Sequence, residues 1–148
     1  MKLIKYVAVA LIAVGCSSVI LQPSDFSWPV ENVLTVDTNG FITEDRHSFT
    51  INVKPLFQEE FEDSTAAIGK ELRIIRDQAG CYYITGPGFK NVYKFQLVEG
   101  GLKLEDEILI SDSLALTFPA FNQHAPNIEL LDGAKKYLLN NNGIERMK

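Results

Sequence analysis

Apolar and polar residues alternate along much of the chain after residue 30, which is the pattern of strands that bury one face. Three segments show it most clearly, and their apolar members are Phe49, Ile51 and Val53; Tyr93, Phe95 and Leu97; and Leu114, Leu116 and Phe118. The same reading along the rest of the chain predicts strands over residues 32–37, 46–54, 71–76, 81–85, 91–98, 102–110, 114–118, 128–131 and 135–139.

Turn residues separate these strands at short intervals. Asn39-Gly40 and Asn142-Gly143 supply the positive backbone torsions of tight turns, and Gly86-Pro87-Gly88 is a stronger interruption. Short strands with regularly spaced turns are typical of sandwiches and barrels. The sequence therefore predicts an all-β fold, either an antiparallel sandwich or a meander or partly closed barrel, with at most one short helix.

Two segments do not have a clear strand pattern. Residues 55–69 carry Phe57 and Phe61 four positions apart, which fits one or two helical turns, but their acidic neighbours fit a loop equally well. Residues 132–142 could form a short helix ending at Gly143. A strand is favoured there because Tyr137 and Leu139 lie two positions apart, as apolar residues on one face of a strand do.

Residues 72–110 resemble one blade of a β-propeller, through the segments 76–85, 91–95 and 101–104. The resemblance covers about a quarter of the chain. A propeller needs four or more blades to close its ring, whereas this chain has room for at most three. We therefore interpret the resemblance as a β-meander, and the similar segment 36–43 as another strand, turn and strand.

The first sixteen residues predict export and lipid attachment. Lys2 and Lys5 precede an apolar run over residues 6–14, which is too short to span a membrane, and small residues surround Cys16. This pattern resembles the lipobox of bacterial lipoprotein precursors. The resemblance implies a signal peptide over residues 1–15, a lipidated Cys16 that begins a tether over residues 16–29, and a single β domain over residues 30–148. The alternatives are an ordinary secretory signal and a buried N-terminal segment.

The location implied is the bacterial cell envelope. Ser17 follows the cysteine in place of the aspartate that retains some lipoproteins at the inner membrane, so we expect the outer membrane, facing the periplasm. The chain carries a net charge of −5, which becomes more negative when Lys2 and Lys5 are removed. An acidic chain is unsuited to nucleic acid and to anionic lipid surfaces, so the covalent lipid would have to provide the anchor.

The sequence offers no positive argument for catalysis, a cofactor or a metal. His47, His124 and Cys81 are widely separated, and no phosphate loop, dinucleotide motif or serine-nucleophile motif is present. Cys81 is expected to be a buried, inert residue, with an intermolecular disulfide or a nucleophile as the alternatives. The acidic run Glu59, Glu60, Glu62 and Asp63 is interpreted as solvated surface, with a weak cation site or catalytic carboxylates as the alternatives.

Aromatic side chains are the remaining candidates for recognition. The binding residues proposed on this basis are Trp28, Tyr82, Tyr83, Phe89 and His124. Filling the core is the simpler role for most of the rings, and Tyr82 and Tyr83 must face opposite sides of a regular strand.

Three functions follow from the sequence. The first is a non-catalytic envelope protein that binds or assembles with a protein partner through a strand edge or an aromatic patch. The second is a small β domain that carries an apolar ligand or a glycan. The third is a hydrolase, which would require His47 or His124 in a cleft with carboxylates.

Overall fold

The computed structural model describes residues 30–46, 48–140 and 142–147. These residues form three antiparallel sheets, one α-helix and one 3-10 helix. The strands are β1 Asn32–Thr35, β2 Phe41–Glu44, β3 Phe49–Asn52, β4 Glu71–Arg76, β5 Tyr82–Thr85, β6 Asn91–Val98, β7 Gly101–Leu109, β8 Pro119–His124, β9 Asn127–Asp132, β10 Lys135–Asn140 and β11 Gly143–Met147. The helices are α1 Lys54–Phe61 and the 3-10 helix Ser64–Ala67. The predicted all-β antiparallel fold is confirmed, and the described sheets do not close into a barrel.

A five-stranded sheet in the order β1-β4-β5-β6-β7 lies in the middle of the fold. Strands β4 to β7 pair consecutively and antiparallel, which confirms the predicted meander. Both faces of this sheet are covered, so the central strand β5 is buried throughout. Tyr82 enters the core on one face and Tyr83 the core on the other, as the alternation of strand side chains requires.

The first face is covered by the β2–β3 hairpin and α1. The helix-side core between them contains Val36, Ile42, Val53, Phe57, Ala67, Leu72, Ile74, Tyr82, Ile84, Phe89 and Tyr93. The second face packs against a four-stranded sheet in the order β11-β10-β9-β8. The inter-sheet core contains Ile75, Cys81, Tyr83, Val92, Ile108, Leu116, Phe121, Ile128, Leu130, Tyr137 and Leu139.

The ambiguous segment 55–69 is helical over most of its length. Pro55 lies in the first turn of α1, where its missing N–H removes no helical hydrogen bond. The Phe57 ring is 5.7 Å from that of Phe61 and 5.2 Å from that of Phe89, centroid to centroid. Glu62 ends the helix in the left-handed conformation and donates its N–H to the carbonyl of Gln58. The aromatic contacts therefore favour helix over loop here.

The strand predicted over residues 114–118 is wrong. Leu116 is buried, but its backbone pairs with the turn that contains Gly88 and Phe89, whereas the exposed Phe118 donates its N–H to the side chain of Asp132. The strand in this region, β8, begins at Pro119. Neither β8 nor β11 was predicted, while the strand favoured in residues 132–142 is confirmed as β10.

Two similar turns have different consequences for the topology. In each, an aspartate side chain, Asp37 or Asp77, accepts the backbone N–H four residues later, and the intervening Gly40 or Gly80 has a positive φ. The Asp77 turn joins β4 and β5, which pair with each other. The Asp37 turn instead carries the chain from β1, which pairs with β4, to β2, which pairs with β3.

Candidate functional site

A groove of about 440 Å³ lies between strand β3 and the end of the β6–β7 hairpin. Its first wall is formed by residues of β3 and the start of α1, and its floor and second wall by apolar residues and glycines of the hairpin. The lining residues are Thr50, Ile51, Asn52, Val53, Pro55, Leu56, Phe95, Gly100, Gly101, Leu102 and Leu104. This volume falls within the range of small-molecule and side-chain sites, about 300–1,000 Å³.

The hairpin supplies an apolar floor because its two arms pair in register. Phe95 lies opposite Leu104, and Leu97 opposite Leu102. Directly opposed residues in antiparallel strands project to the same face, so all four side chains share one side of the hairpin. Phe95 and Leu102 touch the helix-side core, while Leu97 and Leu104 remain largely exposed. The apolar face thus extends from the core to the surface.

Strand β3 presents unpaired backbone groups to this region. It pairs with β2 alone among the described strands. The bond from Val53 N–H to the Gly40 carbonyl shows which opposed residue pairs of the two strands are the hydrogen-bonded ones. Since hydrogen-bonded pairs alternate in an antiparallel ladder, Ile51 bonds toward β2 while the N–H and C=O of Thr50 and Asn52 point to the opposite edge. β2 lies beside β1 and β3 beside β7, so this free edge is the one on the β7 side.

The hairpin that carries this edge is fixed to the central sheet by a ring contact and a buried carboxylate. Phe49 packs edge-on against Tyr82 of β5, with ring centroids 5.2 Å apart. The Glu44 side chain, 1% exposed, accepts hydrogen bonds from the Asn32 side chain and from the backbone and guanidinium of Arg46. Burial alone would raise the pKa of Glu44, but the bonds from Arg46 and Asn32 outweigh it and hold the pKa below the ordinary value of 4.5.

Replacing Glu44 by glutamine is expected to flatten the loss of stability in acid. The pKa of Glu44 is lower in the folded than in the unfolded chain, so below about pH 4.5 the unfolded chain binds more protons and folding weakens as the pH falls. The variant lacks this contribution, which in the wild type is present above that pH. Urea midpoints measured from pH 3 to pH 7 should fall less steeply for Glu44→Gln than for the wild type.

The control for that measurement is Glu99→Gln, which removes a carboxylate from an exposed turn. Equal acid slopes for Glu44→Gln and the wild type would contradict the role assigned to the buried carboxylate.

The residues proposed for binding from sequence do not come together in the groove. Tyr82, Tyr83 and Phe89 are at most 2% exposed and fill the two cores, so a ligand outside the fold does not reach them in this conformation. His124 is exposed at the end of β8. Trp28, the lipidation residue Cys16 and His47 lie outside the described residues, so the hydrolase hypothesis is untested at His47.

Cys81 is a free, buried thiol in the inter-sheet core. Burial and the neighbouring Asp77 carboxylate raise its pKa, and its sulfur lies 3.5 Å from a carboxylate oxygen of Glu105. Both effects oppose the thiolate form that a nucleophile requires. The environment therefore favours the predicted structural role for Cys81.

Two members of the acidic run after Phe57 have structural roles, whereas Glu59 and Glu62 are exposed. Glu60 turns inward and accepts bonds from the β6 region, and Asp63 accepts the N–H and the hydroxyl of Thr65 at the start of the 3-10 helix. Within residues 30–46, 48–140 and 142–147, no group of three or more histidine, cysteine, aspartate or glutamate side chains is arranged to hold a metal ion. In the same part of the chain, neither helix is long and apolar enough to cross a membrane.

Comparison of the chain with protein-family models, curated proteins and solved structures found no match. The N-terminal sequence and the groove are therefore the two features of the chain that indicate a function.

Proposed function

We propose that the chain is a lipid-anchored protein of the bacterial cell envelope whose β domain binds a partner without catalysing a reaction. The N-terminal pattern ending at Cys16 supports the anchor. The observation that carries the binding role is the apolar groove beside the free edge of β3. An exposed strand edge next to an apolar surface can both pair with backbone and accept side chains.

The protein partner is an envelope component held close to the membrane by the lipid on Cys16. We place the anchored protein at the outer membrane, facing the periplasm, because Ser17 is not a retention residue in the known sorting scheme. Nucleic acid is not part of this proposal, since the domain is acidic.

Replacing Cys16 by serine is expected to abolish lipid attachment. Only a thiol can form the thioether to the diacylglyceryl group, so the variant should remain uncleaved or become soluble. Phase partitioning in Triton X-114 and mass spectrometry of the processed N-terminus measure the result. The matched control is Cys81→Ser, which removes the other thiol and should keep both the acyl mass and the detergent partitioning. A wild-type N-terminus that carries no acyl mass would contradict the anchor.

A second candidate function is carriage of an apolar ligand or a glycan, which the volume and the Phe95, Leu102 and Leu104 lining of the groove favour. Crosslinking and affinity recovery of the acylated protein from its own membranes separates the two. A reproducible protein partner supports assembly, whereas bound lipid or sugar without a protein supports carriage.

A further inference from the structure

The free edge of β3 and the apolar floor of the groove meet at one place, and together they specify a kind of ligand. Thr50 and Asn52 each direct one N–H and one C=O away from β2, which makes four backbone groups along one edge. Their side chains are exposed on the outer face of the hairpin, while Ile51 between them points to the core. The contribution of Thr50 and Asn52 to the groove is therefore their backbone edge.

We propose that the groove binds an extended peptide segment, which pairs with β3 as a third strand of the β2–β3 sheet. This inference rests on the binding role in the proposed function and is independent of the lipid anchor. A strand satisfies backbone donors and acceptors in the alternating pattern that Thr50 and Asn52 present. A small apolar molecule fills the floor but leaves these groups to water.

The floor determines which peptide side chains are accepted. In an added strand, alternate side chains lie on the same side as Ile51 and so face Phe95, Leu102 and Leu104. Residues two apart in a strand are separated by about 6.6 Å, and a groove of about 440 Å³ accommodates two side chains of leucine or phenylalanine size. The partner is thus a segment with apolar residues at positions i and i+2.

The edge of β3 carries little that opposes an added strand. Natural sheets protect their edges with charges, prolines or bulges. Strand β7 is protected in this way, because Glu105, Asp106 and Glu107 lie along it and a bulge interrupts its pairing with β6. Strand β3 consists of Phe49, Thr50, Ile51 and Asn52, without a charge or a proline. The two strands therefore differ, and β3 is the one without such protection.

The test uses a displayed library of random twelve-residue peptides, selected on the purified full-length chain in detergent. Enriched peptides are expected to share apolar residues at i and i+2. Thr50→Pro should weaken the binding of these peptides at least tenfold, because proline removes the edge N–H while remaining compatible with an edge strand. Thr50→Val, which keeps the N–H, should bind as the wild type does. Both variants lose the hydroxyl contact with Thr43, so their difference isolates the backbone donor.

The floor is tested on strand β7. Leu104→Lys, in the groove, should weaken binding at least tenfold, whereas Leu109→Lys, equally exposed on the same strand but outside the groove, should not. Methylating the backbone nitrogen of every second residue of a selected peptide should abolish binding for one of the two alternating sets and have little effect for the other. Only one of these sets directs its N–H groups toward β3.

Several results would overturn the inference. These are the absence of any peptide whose binding depends on Leu104, equal binding to Thr50→Pro and Thr50→Val, or N-methylation effects without alternation. Binding of the dye 1-anilinonaphthalene-8-sulfonate that requires Leu104 but not the Thr50 N–H, without a selected peptide, would indicate a small apolar ligand instead. If Thr50→Pro still recovers an envelope partner from membranes, the proposed binding role stands and the strand addition fails.

Discussion

Replacing Phe89 by alanine is expected to destabilise the fold by about 3–5 kcal/mol, the usual cost of removing a buried phenylalanine ring. The Phe89 side chain is 0% exposed and lies in the helix-side core. Its ring contacts those of Phe57, Phe61 and Tyr93, at centroid separations of 5.2, 5.6 and 6.1 Å. Truncation leaves a cavity at the point where α1 meets the central sheet. Guanidinium unfolding followed by far-ultraviolet circular dichroism measures the change.

Phe118→Ala is the matched control, because the same side chain is removed from a position that is 75% exposed. We expect its free energy of unfolding to stay within about 0.5 kcal/mol of the wild type. Similar losses for the two variants would contradict the assignment of Phe89 to the core. They would also reopen its predicted role as a surface residue for recognition.

Strand positions were best predicted where one or both faces of the strand are buried. The predicted bounds 71–76 and 91–98 coincide with Glu71–Arg76 and Asn91–Val98. Both strands lie inside the five-stranded sheet, where the core requires apolar side chains at defined positions. Leu72, Ile74 and Ile75 in β4 and Val92 and Tyr93 in β6 meet that requirement, with adjacent buried residues where both faces are covered.

Alternation was misleading where the backbone pairs with a turn. Leu116 is buried among exposed neighbours, as in a strand, yet its N–H and C=O bond to residues of the turn before β6. Strands β8 and β11 lie at the edges of the four-stranded sheet and offer few apolar residues as a signal, since Phe121 is the one large buried side chain of β8 and no side chain of β11 is buried. The polar run Asn122-Gln123-His124 within β8 is typical of such an edge and resembles a loop in sequence.

The groove could not be located from the sequence, since β3 and the β6–β7 hairpin are far apart along the chain. The partial signal was the apolar content of both hairpin arms, Phe95 and Leu97 on one and Leu102 and Leu104 on the other. Exposure of Leu97 and Leu104 is visible only in the fold. Likewise, Tyr82 and Tyr83 were expected to face opposite sides, but only the packing shows that both sides are core.

Replacing Glu60 by alanine is expected to destabilise the fold by about 3 kcal/mol or more, because hydrogen bonds to a charged group contribute about 1.5–3 kcal/mol each. The Glu60 carboxylate, on α1, accepts the backbone N–H groups of Lys90 and Asn91, the Asn91 side-chain amide and the Tyr93 hydroxyl, at 2.8–3.1 Å. Burial and the Glu60 charge raise the pKa of Tyr93, so its hydroxyl remains a donor at neutral pH. Removing the carboxylate leaves that buried hydroxyl without the acceptor that holds it.

The structure also separates the effects of charge and geometry at Glu60. Glu60→Gln keeps one acceptor oxygen but places an amide where the Lys90 N–H donates, so an intermediate loss is expected in the same unfolding measurement. Glu59→Ala removes the neighbouring exposed carboxylate and should leave the free energy of unfolding within about 0.5 kcal/mol of the wild type. Equal midpoints for Glu59→Ala and Glu60→Ala would show that the Glu60 carboxylate does not stabilise the contact between α1 and the start of β6. Because α1 begins at the wall of the groove, a loss confined to Glu60 would also identify the contact that keeps this wall against the central sheet.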